Sequence, residues 1–173
     1  IDNKAFIRLQ PWKSDGIVSK LDVGIGDKLL NFYSFSPSSY LSGPENVIQN
    51  SVYLYAGAQG QYKKYFNWDA TGKYNFLGHE INDFDISANI LFKLYPFRRD
   101  KNSPLALKVH FETNLKEPNY YDQHLYTNHF VWNNNFDKIS TTKVEGALSI
   151  PNWKLDASFG YALLSNNIYY DNQ

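Results

Sequence analysis

The sequence predicts an all-β protein: an antiparallel up-and-down transmembrane β-barrel, present in part, with about 8 to 10 of its strands in this chain. Three observations point there. Residues 66 to 96 hold two long runs in which apolar and polar side chains alternate. The runs are longer than the roughly 5 or 6 residues of a typical soluble strand and reach the about 9 to 11 that a tilted strand needs to cross a bilayer. Finally, the chain is 17% aromatic, with Tyr the most numerous, yet hydrophilic on average. A barrel gives that balance because only every second strand residue faces lipid and aromatic girdles mark both interfaces.

Candidate strands lie at 4–11, 17–25, 51–61, 66–77, 83–96, 105–115, 122–132, 140–150 and 153–164, and no segment shows helical period. The first three are β-rich stretches bounded by breakers, and Gly24-Ile25-Gly26-Asp27-Lys28 reads as a strand end and turn. In 66–77, Trp68, Ala70, Gly72, Tyr74 and Phe76 interleave with Asn67, Asp69, Thr71, Lys73 and Asn75. In 83–96, Phe84, Ile86, Ala88, Ile90, Phe92 and Leu94 interleave with Asp83, Asp85, Ser87, Asn89 and Lys93. Leu105, Leu107, Val109 and Phe111 alternate with Lys108, His110 and Glu112, and Val144, Gly146, Leu148 and Ile150 with Lys143, Glu145, Ala147 and Ser149. Pro151-Asn152 reads as a two-residue hairpin loop that sets Ile150 opposite Trp153; any even loop length leaves the later faces unchanged. Leu155, Ala157, Phe159 and Tyr161 then continue the apolar face, against Lys154, Asp156 and Ser158. Polar connections are expected at 34–50, at 97–104 and at Asn133-Asn134-Asn135.

Composition narrows the function classes. The formal charge is balanced, 17 Lys and Arg against 17 Asp and Glu, which leaves no electrostatic footprint for nucleic acid. The absence of Cys removes disulfides and thiolate metal sites. There is no run of 18 apolar residues, hence no transmembrane helix, and no retained signal peptide. A 173-residue chain that opens on Ile1 and contains no Met reads as a processed product or an internal piece of a larger barrel, one segment of one domain throughout.

No catalytic, cofactor or metal site emerges. His110 and Glu112 form an H-x-E pair without the downstream cysteines of a zinc deaminase, and His124 and His129 have an odd spacing that cannot share a strand face. The glycines at 24 and 26 match no phosphate or dinucleotide loop, and the serines lack a nucleophile elbow. Asp83 and Asp85 share a strand face like a glycosidase pair, but nothing apolar surrounds them to raise a pKa, so a solvated face is expected.

Several segments carry a family resemblance: Phe6-Ile7-Arg8-Leu9-Gln10-Pro11-Trp12, Tyr53-Leu54-Tyr55-Ala56-Gly57, Lys64-Tyr65-Phe66-Asn67-Trp68, Leu115-Lys116-Glu117-Pro118, Thr127-Asn128-His129-Phe130-Val131-Trp132-Asn133-Asn134 and Phe159-Gly160-Tyr161-Ala162-Leu163-Leu164. Nearly end to end, the chain resembles the putative porin family of Bacteroidetes outer membranes. The resemblance implies an outer-membrane β-barrel, made with a signal peptide, inserted by the barrel assembly machinery and acting as a diffusion channel without catalytic residues. Family members are longer, and the end at Asp171-Asn172-Gln173 lacks the aromatic terminus of a final strand.

The expected function is passive diffusion of small hydrophilic solutes or ions. Asp69, Lys73, Asp85, Lys93, Lys108, Glu112, Glu145, Lys154 and Asp156 would line the lumen, and Phe84, Ile86, Ile90, Phe92, Leu107, Val109, Leu148 and Leu155 would face outer-membrane lipid. Self-association into a homo-oligomer is compatible with either. Two other readings stay open: a soluble or surface-attached β-domain that binds glycans through exposed Trp and Tyr, and a barrel serving a secretion or uptake partner.

Overall fold

The computed structural model describes residues 1–10, 16–34, 45–96, 104–127 and 129–169. The expected features at Pro11-Trp12, Asn128, most of 97–104 and the terminal Asp171-Asn172-Gln173 lie outside the described residues. Eight strands form one antiparallel sheet in chain order: β1 (Asp2–Leu9), β2 (Lys20–Ser34), β3 (Glu45–Tyr62), β4 (Phe66–Gly78), β5 (Phe84–Leu94), β6 (Leu105–Lys116), β9 (Ile139–Ile150) and β10 (Leu155–Ser165). Between β6 and β9 the chain leaves the sheet through a four-residue helix, α1 (Tyr120–Gln123), and a hairpin of β7 (His124–Tyr126) and β8 (Val131–Asn133). The all-β, antiparallel, up-and-down architecture holds, but the sheet is open: no pairing joins β1 to β10.

Register fixes two faces, because paired residues in antiparallel strands share a side. One row runs Lys20, Gln59, Asp69, Asn89, His110, Glu145, Gly160; the neighbouring row on the other side runs Leu21, Ala58, Ala70, Ala88, Phe111, Val144, Tyr161. Along the second face every strand is apolar or uncharged apart from Asp27 on β2. On β4 that face carries Phe66 and Trp68 near one end, Ala70 and Gly72 in the middle, and Tyr74 and Phe76 at the other. Phe66 to Phe76 spans roughly 33 Å of strand, which a tilt of about 40° reduces to the about 25 Å height of a barrel's apolar band.

Four expectations are corrected. The stretch 122–132 is not one strand of the sheet: α1 and the β7–β8 hairpin replace it, turned at Thr127, whose backbone N–H donates to the Phe130 carbonyl at 2.8 Å. The β9–β10 connection has four residues, Pro151 to Lys154, containing a 3₁₀ turn over Pro151–Trp153, so Ile150 faces Leu155 and Trp153 lies off the ladder. Pro at the first loop position fits the start of a 3₁₀ turn and not a primed two-residue turn, and the even loop length keeps Leu155 on the face of Ile150. Gly24 and Gly26 sit mid-strand in β2, where the Tyr53 ring occupies the space a Cβ on Gly26 would need. The expected connection at 34–50 is strand at its ends: β2 runs to Ser34 and β3 starts at Glu45, while 35–44 lie outside the described residues.

That last extension outruns its neighbours. β1 pairs with β2 only as far as Lys28, and β4 pairs with β3 only as far as Ser51, so Leu29–Ser34 and Glu45–Asn50 form a two-stranded ribbon beyond the sheet. Below it β4 carries a bulge: Tyr53 pairs with Asn75 and Val52 with Leu77, leaving Phe76 as the extra residue. The strand then ends at Gly78 with φ +98°, a left-handed turn where a Cβ would overlap the Asn50 carbonyl.

Candidate functional site

The polar face is the candidate site, and its side chains are organised across strands. Arg8 on β1 donates from Nε at 2.8 Å and from Nη2 at 3.1 Å to the two carboxylate oxygens of Asp22 on β2, which also meets Lys20 Nζ at 3.3 Å. The Tyr53 hydroxyl donates to Asp2 at 2.7 Å, and Lys73 Nζ stands 4.0 Å above the centroid of the same ring. Further along, Asn89 donates to Asp69 at 2.9 Å, His110 Nδ1 lies 2.8 Å from Asn89 Oδ1, and Lys143 pairs with Glu145 at 2.8 Å. Most of these pairs join neighbouring strands or residues two apart on one strand, and Tyr53 reaches over β2 to Asp2 on β1, so ions of both signs coat the face.

Burial is inverted relative to a water-soluble domain. Asp22 is 5% and Asn75 4% exposed, while Ile7 is 72% and Phe159 67% exposed; among the described residues the buried apolar side chains are Tyr53, Pro118 and Ile150. Burying a polar group is costly without a partner; Arg8 and Lys20 supply one for Asp22, and Glu80 accepts from the Asn75 amide N–H.

One end of the polar face is crossed by the segment from Glu117 to Lys138, here called the strap. At its start the Glu117 N–H donates to Asp83 Oδ2 at 2.7 Å, and at its end Lys138 Nζ binds Asp83 Oδ1 and the Ile81 carbonyl. Asp83 thus pins both ends beside β5 and β6. The middle reaches back to β2: Tyr120 stacks on Phe32 with centroids 4.8 Å apart, Tyr121 meets the same ring edge-on at 5.5 Å, and the Tyr121 hydroxyl donates to the Tyr33 carbonyl at 3.3 Å. β2 and β6 are four places apart in the sheet, so the strap covers roughly 19 Å of its width. Gln123, 3% exposed, binds it internally, donating to Glu117 and to the Pro118 carbonyl and accepting from the Phe136 N–H.

Of the nine residues expected on the lumen side, Asp69, Lys73, Asp85, Lys93, Lys108, Glu112, Glu145 and Asp156 share this polar face. Lys154 does not: it ends the 3₁₀ turn with φ +50°, outside the ladder. Phe84, Ile86, Ile90, Phe92, Leu107, Val109, Leu148 and Leu155 all lie on the opposite, apolar face. Sequence reasoning missed the β1–β2 ions Arg8, Lys20, Asp22 and Lys28 and the hub role of Asp83. Even-numbered charges on both sides of one connection were the available signal for the first group. Asp83 precedes β5 and Asp85 lies within it, and they take different cations, Lys138 and Lys116. His124 Nδ1 contacts Asn133 Oδ1 within the hairpin, and no group of three metal-ligating side chains occurs among the described residues.

The sequence profile of the family described as "Putative porin" matches residues 3–173. The chain belongs to this family. Neither the curated proteins nor the solved structures contain a significant match. For a porin relative, the two-faced sheet is the feature that matters, because it assigns each strand residue to one of two environments.

Proposed function

We propose that this sheet is part of the wall of an outer-membrane β-barrel whose polar face lines a water-filled lumen, through which small hydrophilic solutes or ions diffuse passively. The inverted burial carries the reading. Eight strands at about 4.8 Å spacing and about 25 Å of apolar height give an apolar face of roughly 1,000 Å². That exceeds the largest apolar patch of about 300 to 600 Å² on a typical soluble monomer. Lipid satisfies such a face, and water satisfies the ion-studded one. The free edges of β1 and β10 are hydrogen-bonding rows that barrel closure, with further strands or with each other, would consume. Partners on this reading are outer-membrane lipid, the machinery that inserts barrels, and the solutes themselves; the protein performs no reaction.

Conductance of the purified full-length protein in planar bilayers tests it. Lys93 and Lys108 point into the polar face without an ion-pair partner among the described residues, so Lys93→Glu with Lys108→Glu should shift ion preference toward cations. Stepwise ohmic openings with that shift support an open pore. A membrane-resident protein that never conducts would defeat it, as would a protein that stays soluble without detergent.

A further inference from the structure

We propose that the cavity between the strap and the sheet binds a neutral, hydroxyl-rich solute of mono- to disaccharide size. The proposal rests on the pore reading in one respect only, that the polar face meets water. The cavity measures about 290 Å³, at the lower end of ligand pockets of about 300 to 1,000 Å³. β2 and β3 supply Lys28, Leu30, Phe32 and Gln49, β4 supplies Lys73 and Asn75, and the strap supplies Pro118, Asn119 and Tyr120.

Charge selects the ligand class. The lining ammonium groups are Lys28, Lys73 and Lys116, the lining carboxylates are Glu80, Asp83, Asp85 and Glu117, and Lys138 sits on Asp83 and Glu117 to bring the balance to zero. Most of these ions are already matched, Lys28 with Glu80 and Lys116 with Asp85 at 3.0 Å. With the lining balanced and most of its ions matched, an anion or a cation gains little net Coulomb energy here.

Free hydrogen-bonding capacity of both signs remains. Lys73 Nζ stands over the Tyr53 ring and makes no hydrogen bond or close ion pair among the described residues, though Glu80, Asp2 and Asp85 act on its charge at longer range; the Gln49 and Asn119 amides make no side-chain hydrogen bond among the described residues, and Asn75 Oδ1 is buried without a donor. A hydroxyl is donor and acceptor at once, so a polyol can use ammonium, amide N–H and amide carbonyl together. The Phe32 and Tyr120 rings and Leu30 add an apolar wall for the C–H face of a sugar ring.

Calorimetric titration of the detergent-folded full-length protein with maltose tests the site independently of conductance. Saturable maltose binding is expected, with Tyr120→Ala and Lys73→Met each weakening it by about tenfold, the effect of one good contact. Gln49→Leu touches none of the strap's anchors and should also weaken it, which keeps the test valid if Tyr120→Ala disturbs folding. Absence of saturable heat, unchanged affinity in Gln49→Leu and Lys73→Met, or tighter binding of inorganic phosphate than of maltose would overturn the proposal. A conducting protein that ignores maltose sinks this site alone; maltose binding without conductance sinks the pore alone.

Discussion

Placing an arginine at Ile90 gives the sharpest test of which solvent the apolar face meets. On β5 the apolar row runs from Phe84 to Leu94, so its centre lies at position 89 and Ile90 is one residue away. At about 3.4 Å per residue and a tilt of about 40°, Ile90 stands roughly 3 Å from the midplane, whereas Leu94 stands roughly 13 Å from it. A charge at mid-bilayer on the lipid face costs about 2 to 4 kcal/mol, and one at the interface about 0 to 1. Ile90→Arg should therefore lower the folded-to-unfolded ratio by roughly 30- to 900-fold, and Leu94→Arg by less than about sixfold. Asn89→Arg, next in sequence but on the polar face, should stay close to the parent. The assay is urea unfolding of the full-length protein in phospholipid vesicles, followed by heat-modifiable gel migration. Equal losses at 90 and 94, or a larger loss at 89 than at 90, would refute the depth assignment. In water, an arginine at partly exposed Ile90 would cost little, so a flat result across all three would also remove the membrane reading.

Three further outcomes follow from named contacts. Asp83→Ala removes the partner of both strap ends, so cleavage within 117–138 by added protease should rise severalfold while the sheet stays folded; loss of a charge-assisted hydrogen bond accounts for about 1.5 to 3 kcal/mol each. Gly78→Ala forces a side chain into a left-handed turn against the Asn50 carbonyl and should destabilise by at least about 1 to 2 kcal/mol in the same vesicle assay, whereas Gly72→Ala, with open space around it, should be nearly silent. Arg8→Ala leaves the buried Asp22 carboxylate with Lys20 alone and should speed amide exchange in β1 more than in β4.

The strands that alternate strictly were the legible ones. On β4 and β5 each residue serves one face and one solvent, so period two survives intact and the side of Asp69, Lys73, Asp85 and Ile90 follows from counting. The far half of β2 hid because Leu29-Leu30 and Phe32-Tyr33 put apolar groups on both faces. The structure gives the reason for Leu30 and Phe32: they line the cavity that the strap covers. The strap itself reads as a strand because His124–Tyr126 and Val131–Asn133 do have β propensity, but they pair with each other and not with the sheet. Asp83 carried no local mark of its role, since its two partners lie 34 and 55 residues away. Lys154 was misplaced by the length of one turn. Barrel character depends on long-range closure, which alternation along single strands does not encode.

The ribbon of Leu29–Ser34 and Glu45–Asn50 has a mechanical consequence. It starts just past Asp27, the single charge among the described strand residues of the apolar face, and it runs roughly 20 Å beyond the Ser51–Gly78 pair with no strand beside it on the β4 side. A free two-stranded hairpin is marginally stable in water. At its base Ile1 and His79 hydrogen-bond the backbone of Leu29 and Asn50, and further out its support comes from Tyr120 and Tyr121, the same rings that close the strap. Stiffness of the two parts is therefore shared: whatever loosens the aromatic cluster at Phe32 softens both, and the rim of the sheet behaves as one hinged unit that stands or sags together.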